Sequence, residues 1–260
     1  ANHRQQQAGN FQNQIFQMIE GEKLGSFWGY TFAGVWQEDD VNAPFVDANG
    51  QTNGKTNGEV YKVKPGNSKY VDVNKDGVYN DADQGIIGCG QPTFNWGWNN
   101  TFNYKNFDFS FFVVGFHGFD IYNATHQMGY NLIKSQQMAG VTPMRELLNR
   151  WTPTNTNTDI PGFVKGGTEN KDFFSTRFVE NGSFIKMKSI TLGYTLPEAT
   201  CRSLGINNLR VYASVQNPFH ITKYSGLDPE ATMGSPLVQG VDWGAYPNSR
   251  NYLIGLNFSF

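Results

Sequence analysis

The residues whose spacing most clearly suggests chemistry lie between Asp72 and Asp83 and read DVNKDGVYNDAD. Oxygen-bearing side chains stand at positions one, three, five, nine and twelve of this segment, and Gly77 stands at position six. Calcium prefers six to eight hard oxygen ligands, and a glycine at position six permits the sharp turn around the ion. The segment therefore predicts a calcium-binding loop. Its ligands would be the side chains of Asp72, Asn74, Asp76, Asn80 and Asp83 and the carbonyl of Val78.

The same residues have a second interpretation. Asp and Asn side chains often accept hydrogen bonds from their own backbone in Asx turns, without any metal. Asp83 also replaces the longer Glu that usually closes such a loop, which predicts a lower affinity. No helical apolar pattern flanks the segment, so a paired EF-hand is not expected. A bound ion would make the connection over residues 38–92 more rigid.

The segment 251–260 shows the clearest strand pattern among the elements that must carry this loop. A strand has a side-chain period of two, so alternation gives it one apolar and one polar face. About ten residues let a tilted strand cross the hydrocarbon core of a bilayer. The segment thus predicts a strand of an outer-membrane β-barrel, with a sandwich edge strand as the alternative. The apolar set is Tyr252, Ile254, Leu256, Phe258 and Phe260, and the polar set is Asn251, Gly255, Asn257 and Ser259.

Six further segments have related patterns, which makes about seven strands in all. In the segment 184–194, the apolar parity changes midway, which predicts a β-bulge near Ser189. The other segments are residues 28–36, 94–104, 107–113 and 209–216, with a weaker candidate at 11–19. Rings near strand ends, such as Trp28 with Trp36 and Phe94 with Tyr104, would form the aromatic girdles of a barrel.

Short and long connections alternate along the chain. Lys105-Asn106 forms a tight turn, and a modest turn contains Pro197 and Gly205. The long, polar connections cover residues 38–92, 119–182 and 222–248. Outer-membrane barrels have short periplasmic turns and long external loops. With the end of the chain in the periplasm, every long connection falls outside, so we expect no disulfide between Cys89 (outside) and Cys201 (periplasmic).

Composition excludes several classes of protein. The chain of 260 residues is 15% aromatic and 16% charged and has 29 glycines, which favours strands and turns. The formal net charge of −2 argues against nucleic acid as a partner. The four histidines show no ligand spacing, and neither a nucleophile elbow nor a phosphate loop is present, so we do not expect an enzyme.

Several motifs together resemble the SusC/RagA-type TonB-dependent outer-membrane transporters. The resemblance covers residues 27–260 in order. The motifs are Gly29-Tyr30 to Trp36-Gln37, Tyr70 to Gly77 followed by Asp83 and Ile86 to Gly88, Tyr104 to Asp108, Ser183 to Tyr194, Gln216 to Phe219, Tyr224 to Glu230, and Tyr246-Pro247 to Phe260.

The resemblance implies an all-β fold, an antiparallel transmembrane β-barrel segment with long extracellular loops. Residues 1–260 would be the C-terminal third of a 22-stranded barrel, without the plug domain. It also implies import of glycans or peptides across the outer membrane, with a SusD-like surface lipoprotein as a lid and TonB pulling on the plug. The alternative is a soluble, calcium-stabilised, carbohydrate-binding β-sandwich.

Residues that would contact a substrate are the least specified by the sequence. The candidate ligand residues are Trp243, Tyr246 and Arg210. The two rings could stack on sugars or contact the lid, and the alternative is that they only pack loops together. Polar residues of the inner parity would line a hydrated lumen: Asn95, Asn99, Arg210, Gln216, Asn251 and Asn257.

Overall fold

The computed structural model describes residues 19–130, 144–163, 173–232 and 239–259. The strands in chain order are β1 (Ser26–Tyr30), β2 (Phe32–Val35), β3 (Pro44–Val46), β4 (Thr52–Thr56), β5 (Ser68–Tyr70), β6 (Gln84–Cys89), β7 (Phe94–Tyr104), β8 (Phe107–His117), β9 (Asp120–Asn123), β10 (Val179–Asn181), β11 (Phe184–Thr195), β12 (Asn208–Thr222), β13 (Val241–Asp242) and β14 (Asn251–Ser259). The α-helices are α1 (Glu38–Asn42), α2 (Asn57–Tyr61), α3 (Ala124–Tyr130) and α4 (Glu198–Ser203). Within the described residues, no helix has the length and hydropathy needed to cross a membrane.

The long strands form one antiparallel sheet of five strands in the order β14-β12-β11-β8-β7. Each of these strands was predicted by alternation, and β12 runs further than expected, to Thr222. Because directly opposite residues point to the same face, the register divides the sheet into an apolar face and a polar face. One row of the apolar face contains Phe102, Phe109, Leu192, Ala213 and Ile254. The adjacent row of the polar face contains Thr101, Ser110, Thr191, Ser214 and Leu253.

The side chains of the apolar face are largely exposed. Tyr104 is 70% exposed, Ile254 is 85% exposed and Phe258 is 62% exposed. In the described part of the chain, no second sheet packs on these side chains, as a sandwich would require. An apolar surface that spans five strands is far larger than a water-soluble monomer exposes, so lipid is its natural contact. The rings Phe94 and Tyr104 stand at opposite ends of this face, as expected for two girdles.

A bulge in β11 lets the apolar side chains keep to one face. The register with both neighbouring strands shifts between Met187 and Ser189. Lys188 is an extra residue relative to β8, whereas β12 places two residues, Asn217 and Pro218, opposite it. This is the bulge predicted near Ser189. It carries Ile185 and Met187 onto the same face as Ile190 and Leu192 despite their opposite parity.

All the long connections leave the sheet at one edge, which we call the loop edge. This edge contains Phe94, His117, Phe184, Thr222 and Asn251. The opposite turn edge has the tight turn at Lys105-Asn106 and the connection from β11 to β12, which contains α4 in addition to the expected turn. Lys105 has a φ of 53°, which the short reversal requires. The alternation of short and long connections is thus present in the topology.

The segment 28–36 differs from its prediction. It forms β1 and β2, which pair with β6 and β5 and do not join the large sheet. Trp28 is 8% exposed and Trp36 is 3% exposed, so these two rings are not girdle residues. Alternating rings fit a strand that packs inside a folded loop as well as one that faces lipid, and this explains the error. The candidate strand at 11–19 lies almost wholly outside the described residues.

The connections at the loop edge form a packed layer with apolar clusters of its own. One cluster contains Phe27, Tyr122, Ala124 and Phe178. Backbones from different connections approach closely, since a Cβ on Gly90 would lie 1.9 Å from the carbonyl oxygen of Gln239. Cys89 lies in this layer and Cys201 lies at the turn edge, and both are free thiols.

Candidate functional site

The predicted calcium loop is a series of Asx turns around a sharp bend. Asn74 Oδ1 accepts from the Asp76 N–H at 3.1 Å, and Asp76 Oδ1 accepts from the Val78 N–H at 2.8 Å. Asp72 Oδ2 accepts from the Gly77 N–H at 2.8 Å. Gly77 has a φ of +82°, a conformation that favours glycine and allows the chain to reverse at this point.

The side chains at the two ends of the loop are held differently. Asp72 Oδ1 is buried without a hydrogen-bond partner, so one carboxylate oxygen is available to a cation. Asp83 is 3% exposed, and its two oxygens accept from the backbone N–H groups of Val73 at 2.9 Å and Asn80 at 3.0 Å. Asp83 therefore caps the short 3₁₀ helix Asp81–Asp83 and would have to give up these bonds to close a metal site.

The amide groups of Asn74 and Asn80 both donate to Asp76 Oδ2, at 2.9 and 3.1 Å. Their N–H groups place partial positive charge next to the Asp76 carboxylate, where a bound cation would place its charge. In the described residues, no cluster of three or more His, Cys, Asp or Glu side chains is arranged to hold a metal ion. The hard oxygen atoms of the loop and the Asp72 oxygen without a hydrogen-bond partner fit calcium. Asp83 does not fit in its present position, because both of its oxygens accept hydrogen bonds from the backbone.

Two tyrosines, Tyr61 and Tyr79, pack next to the loop. The Tyr61 hydroxyl donates to Asp72 Oδ2 at 2.8 Å, and the Tyr61 ring stacks on Tyr79 with ring centroids 5.2 Å apart. Burial, together with the hydrogen bond to Asp72, raises the pKa of Tyr61. Burial also raises the pKa of Tyr79 to about 12. Both rings stay neutral, so the Tyr61 hydroxyl remains a hydrogen-bond donor to Asp72.

Asp76 lies at the exposed tip of the loop. Hydrogen bonds from the Val78 backbone and from the Asn74 side chain hold the pKa of Asp76 below its usual value. The loop therefore remains anionic at neutral pH, as cation binding requires.

The residues predicted to line a lumen all lie on the polar face of the sheet. The register shows this, because each of them has the same side-chain parity in its strand as the polar-face row of Thr101 and Ser214. Arg210 makes two bonds to Asp108, from Nε at 2.9 Å and from a terminal nitrogen at 2.5 Å. This pair spans β11 above Gly193, where a Cβ would lie 2.4 Å from the Asp108 carboxylate. Arg210 therefore has a structural partner within the sheet, near its turn edge.

The structure does not bring the three candidate ligand residues together. Trp243 and Tyr246 follow β13 in the loop layer, at the opposite end of the sheet from Arg210. Trp243 packs against the cluster of Phe27 and Tyr122. Tyr246 is 91% exposed, whereas Trp243 and Arg210 are each partly buried.

The loop edge also contains an ionic network that the sequence pattern did not predict. Lys186 is 2% exposed on the polar face, and its Nζ lies 2.9 Å from Asp228 Oδ2 and 2.7 Å from Glu230 Oε2. Lys188 binds the other oxygen of Glu230. The available signals were two lysines within a strand whose first five residues are otherwise apolar and the Asp-Pro-Glu run, but 42 residues separate Lys186 from Asp228.

Hydrogen bonds keep both carboxylates of this network ionised. Burial acts to raise the pKa of Asp228, but hydrogen bonds from Lys186 and from the Asn248 and Glu230 backbones outweigh it, and the pKa is lowered. The pKa of Glu230 is lowered in the same way, because Lys186 and Lys188 outweigh its burial.

Comparison with known proteins places this architecture in a family. No family model matches the chain. TonB-dependent receptor P3 of Formosa agariphila is 34% identical over 259 residues, which cover 97% of this chain and 24% of the receptor. TonB-dependent receptor SusC of Bacteroides thetaiotaomicron is 32% identical over 199 residues, which cover 76% of this chain and 18% of SusC.

Solved structures agree on the fold. The RagAB peptide transporter matches with a TM-score of 0.68 and 23% identity, over 95% of this chain and 24% of the matched chain. The same importer in its open-open state matches with a TM-score of 0.67 and 22% identity over the same shares. The chain thus spans about a quarter of the length of the first of these relatives. It belongs to the SusC/RagA-type TonB-dependent outer-membrane transporters, and its five-stranded sheet is a segment of their β-barrel.

Proposed function

We propose that this chain forms part of an importer for glycans or other oligomeric nutrients. The observation that carries the proposal is the two-faced sheet: a bare apolar face suited to lipid, and a polar face suited to a hydrated passage. The residues Asn95, Asn99, Gln216 and Asn251 would line this passage. A water-filled lumen behind a lipid-facing wall is what a large polar solute needs in order to cross the outer membrane.

The proposed orientation puts the loop edge outside the cell and the turn edge in the periplasm. It is supported by the β8–β11 and β12–β14 connections, which leave and rejoin the sheet at the edge where the chain also enters β7, and by the two short connections at the opposite edge. The loop layer would then face a SusD-like lipoprotein acting as a lid, with Tyr246 presented to lid or substrate. TonB would supply energy through a plug carried by the rest of the transporter.

Growth on defined nutrients tests this function. A strain that lacks the full transporter should lose growth on one class of oligosaccharides or peptides as sole carbon source. It should retain growth on the corresponding monomers, which pass through porins. The lipoprotein should co-purify with the transporter from detergent-solubilised outer membranes. Unchanged growth on every oligomer tested would contradict the proposal.

We also propose that the loop at 72–83 binds calcium. The support is its set of hard oxygens, the orphaned Asp72 oxygen and the anionic Asp76. Asp72, Asn74, Asp76 and Asn80 would supply side-chain oxygens, Val78 its carbonyl, and Asp83 would join them by releasing its capping bonds. An external site can be weak and still be filled, because extracellular modules bind calcium at about 10⁻⁴ to 10⁻³ M.

Terbium luminescence tests the calcium site in the full transporter. Tyr61 and Tyr79 lie close enough to sensitise a lanthanide in this loop, and calcium should compete with the signal. We expect the double variant Asp72→Asn/Asp76→Asn to weaken binding at least about tenfold, since it removes two anionic ligands. Asp47→Asn is the control, because Asp47 makes a similar Asx turn to Asn49 outside this spacing. A signal that calcium does not displace, or that the double variant leaves unchanged, would exclude the site.

A further inference from the structure

The connection between β12 and β14 folds back onto the polar face of the sheet at the loop edge. Phe184 and Lys186 belong to that face, and both are only 2% exposed. Tyr224 packs in one cluster with Phe184, and Asp228 and Glu230 reach Lys186. At the same level of the sheet, Ile221 on the apolar face is 64% exposed. The covering segment therefore lies on the passage side of the wall.

Four charges hold this segment in place and balance one another. Lys186 and Lys188 come from β11, and Asp228 and Glu230 come from the connection. Asn248, at the far end of the same connection, donates to Asp228 Oδ2 from its backbone at 3.1 Å and from its side chain at 3.2 Å. Its side chain also donates to Glu230 Oε2 at 2.9 Å. One network thus ties both ends of the connection to each other and to the barrel wall.

A second hydrogen bond closes the connection above the network. The Tyr224 hydroxyl donates to Asp242 Oδ2, and Asp242 Oδ1 accepts from the Gly244 N–H at 2.8 Å. Burial, with help from the hydrogen bond to Asp242, raises the pKa of Tyr224, so its hydroxyl remains a donor. Residues 224–232 and 239–250 are therefore anchored at several points, and the contacts of Tyr224, Asp228 and Glu230 reach β11, the strand that carries Lys186.

We infer that Lys186 is an ionic latch that holds residues 224–232 and 239–250, the described part of the β12–β14 connection, folded over the mouth of the passage. The inference rests on the proposed function, because it takes the polar face to be the passage wall. A buried lysine needs its partners, since an unpaired charge away from water is costly. Lys186 therefore either keeps both carboxylate partners or loses both of them. The segment that carries Asp228 and Glu230 is accordingly either held against the wall or released. An apolar contact would allow gradual sliding instead.

Hydrogen exchange of the full transporter in lipid nanodiscs tests the latch. We expect Lys186→Met to speed amide exchange at least tenfold in residues 224–232 and 239–250. Exchange in β7, β8 and β14 should stay within twofold of the wild-type rate, because the wall itself keeps its hydrogen bonds. Arg202→Met is the matched control: its ion pair with Glu198 is exposed, with side chains 76% and 73% accessible, and its loss should change neither region.

A milder variant provides the test if the transporter that carries Lys186→Met does not assemble. Glu230→Gln leaves Lys186 with Asp228 but releases Lys188, and we expect about a threefold rise in exchange over the same residues. Wild-type exchange rates in the assembled variant would overturn the latch. That result differs from a failure of the proposed function, in which exchange rises as expected but a transporter deletion leaves growth on oligomers unchanged.

Discussion

Replacing Ile254 by arginine should lower the free energy of unfolding of the barrel by about 2–4 kcal/mol. Ile254 is 85% exposed in the middle of β14, in the row of the apolar face that also contains Phe102 and Leu192. If lipid covers this row, an arginine there must carry its charge into hydrocarbon. Denaturant titration of the full transporter refolded into lipid bilayers would measure the loss.

The matched control is Thr101→Arg. Thr101 lies in the adjacent row of the polar face at the same depth of the sheet, and it is also exposed. An arginine there would enter the hydrated passage, so we expect a change of at most about 0.5 kcal/mol, as for an ordinary surface substitution. Equal losses for the two variants would contradict the assignment of the two faces.

The second large effect should come from Gly90, which holds the loop layer together. A Cβ at this position would lie 1.9 Å from the Gln239 carbonyl oxygen and 2.6 Å from its carbon. We expect Gly90→Ala to force these backbones apart, at a cost of about 1–3 kcal/mol, as for an overpacked core. The amide of Tyr122 reports on this opening by hydrogen exchange, because it donates to the neighbouring Gly240 carbonyl at 2.7 Å.

Gly85 provides the control within the same segment of chain. It lies in β6, five residues before Gly90, and a Cβ on it would meet nothing within 4 Å. Gly85→Ala should therefore change the opening free energy at Tyr122 by less than about 0.5 kcal/mol. If Gly85→Ala and Gly90→Ala had the same effect, the close backbone contact would not be what joins the connections.

The wall of the barrel was predictable because its pattern is local. In β7, rings alternate with Asn, Gly and Thr over 11 residues, and each face follows directly from the period of two. Even the bulge at Lys188 could be inferred, since only an extra residue reconciles Met187 with Ile190. The edge at which the long connections lie followed from the alternation of short and long connections along the chain.

The loop layer was not predictable to the same degree because its contacts join distant residues. Trp36 alternates like a girdle residue, yet it is buried beside Tyr61 and below Lys69. The partners of Lys186 lie 42 and 44 residues away, so no local pattern indicates the latch. For the calcium loop, the spacing predicted the Asx turns and the bend at Gly77, but it did not reveal that Asp83 caps a 3₁₀ helix.

If the sheet is a barrel wall, lipid covers its apolar face. Spin labels on single cysteines along β14 test it, after Cys89 and Cys201 are replaced by serine in the full transporter in liposomes. Labels at Tyr252, Ile254, Leu256 and Phe258 should be accessible to oxygen, which concentrates in lipid, and those at Asn251, Leu253 and Asn257 to a water-soluble nickel reagent. A uniform profile, or one in which the first set contacts only the nickel reagent, would contradict the account.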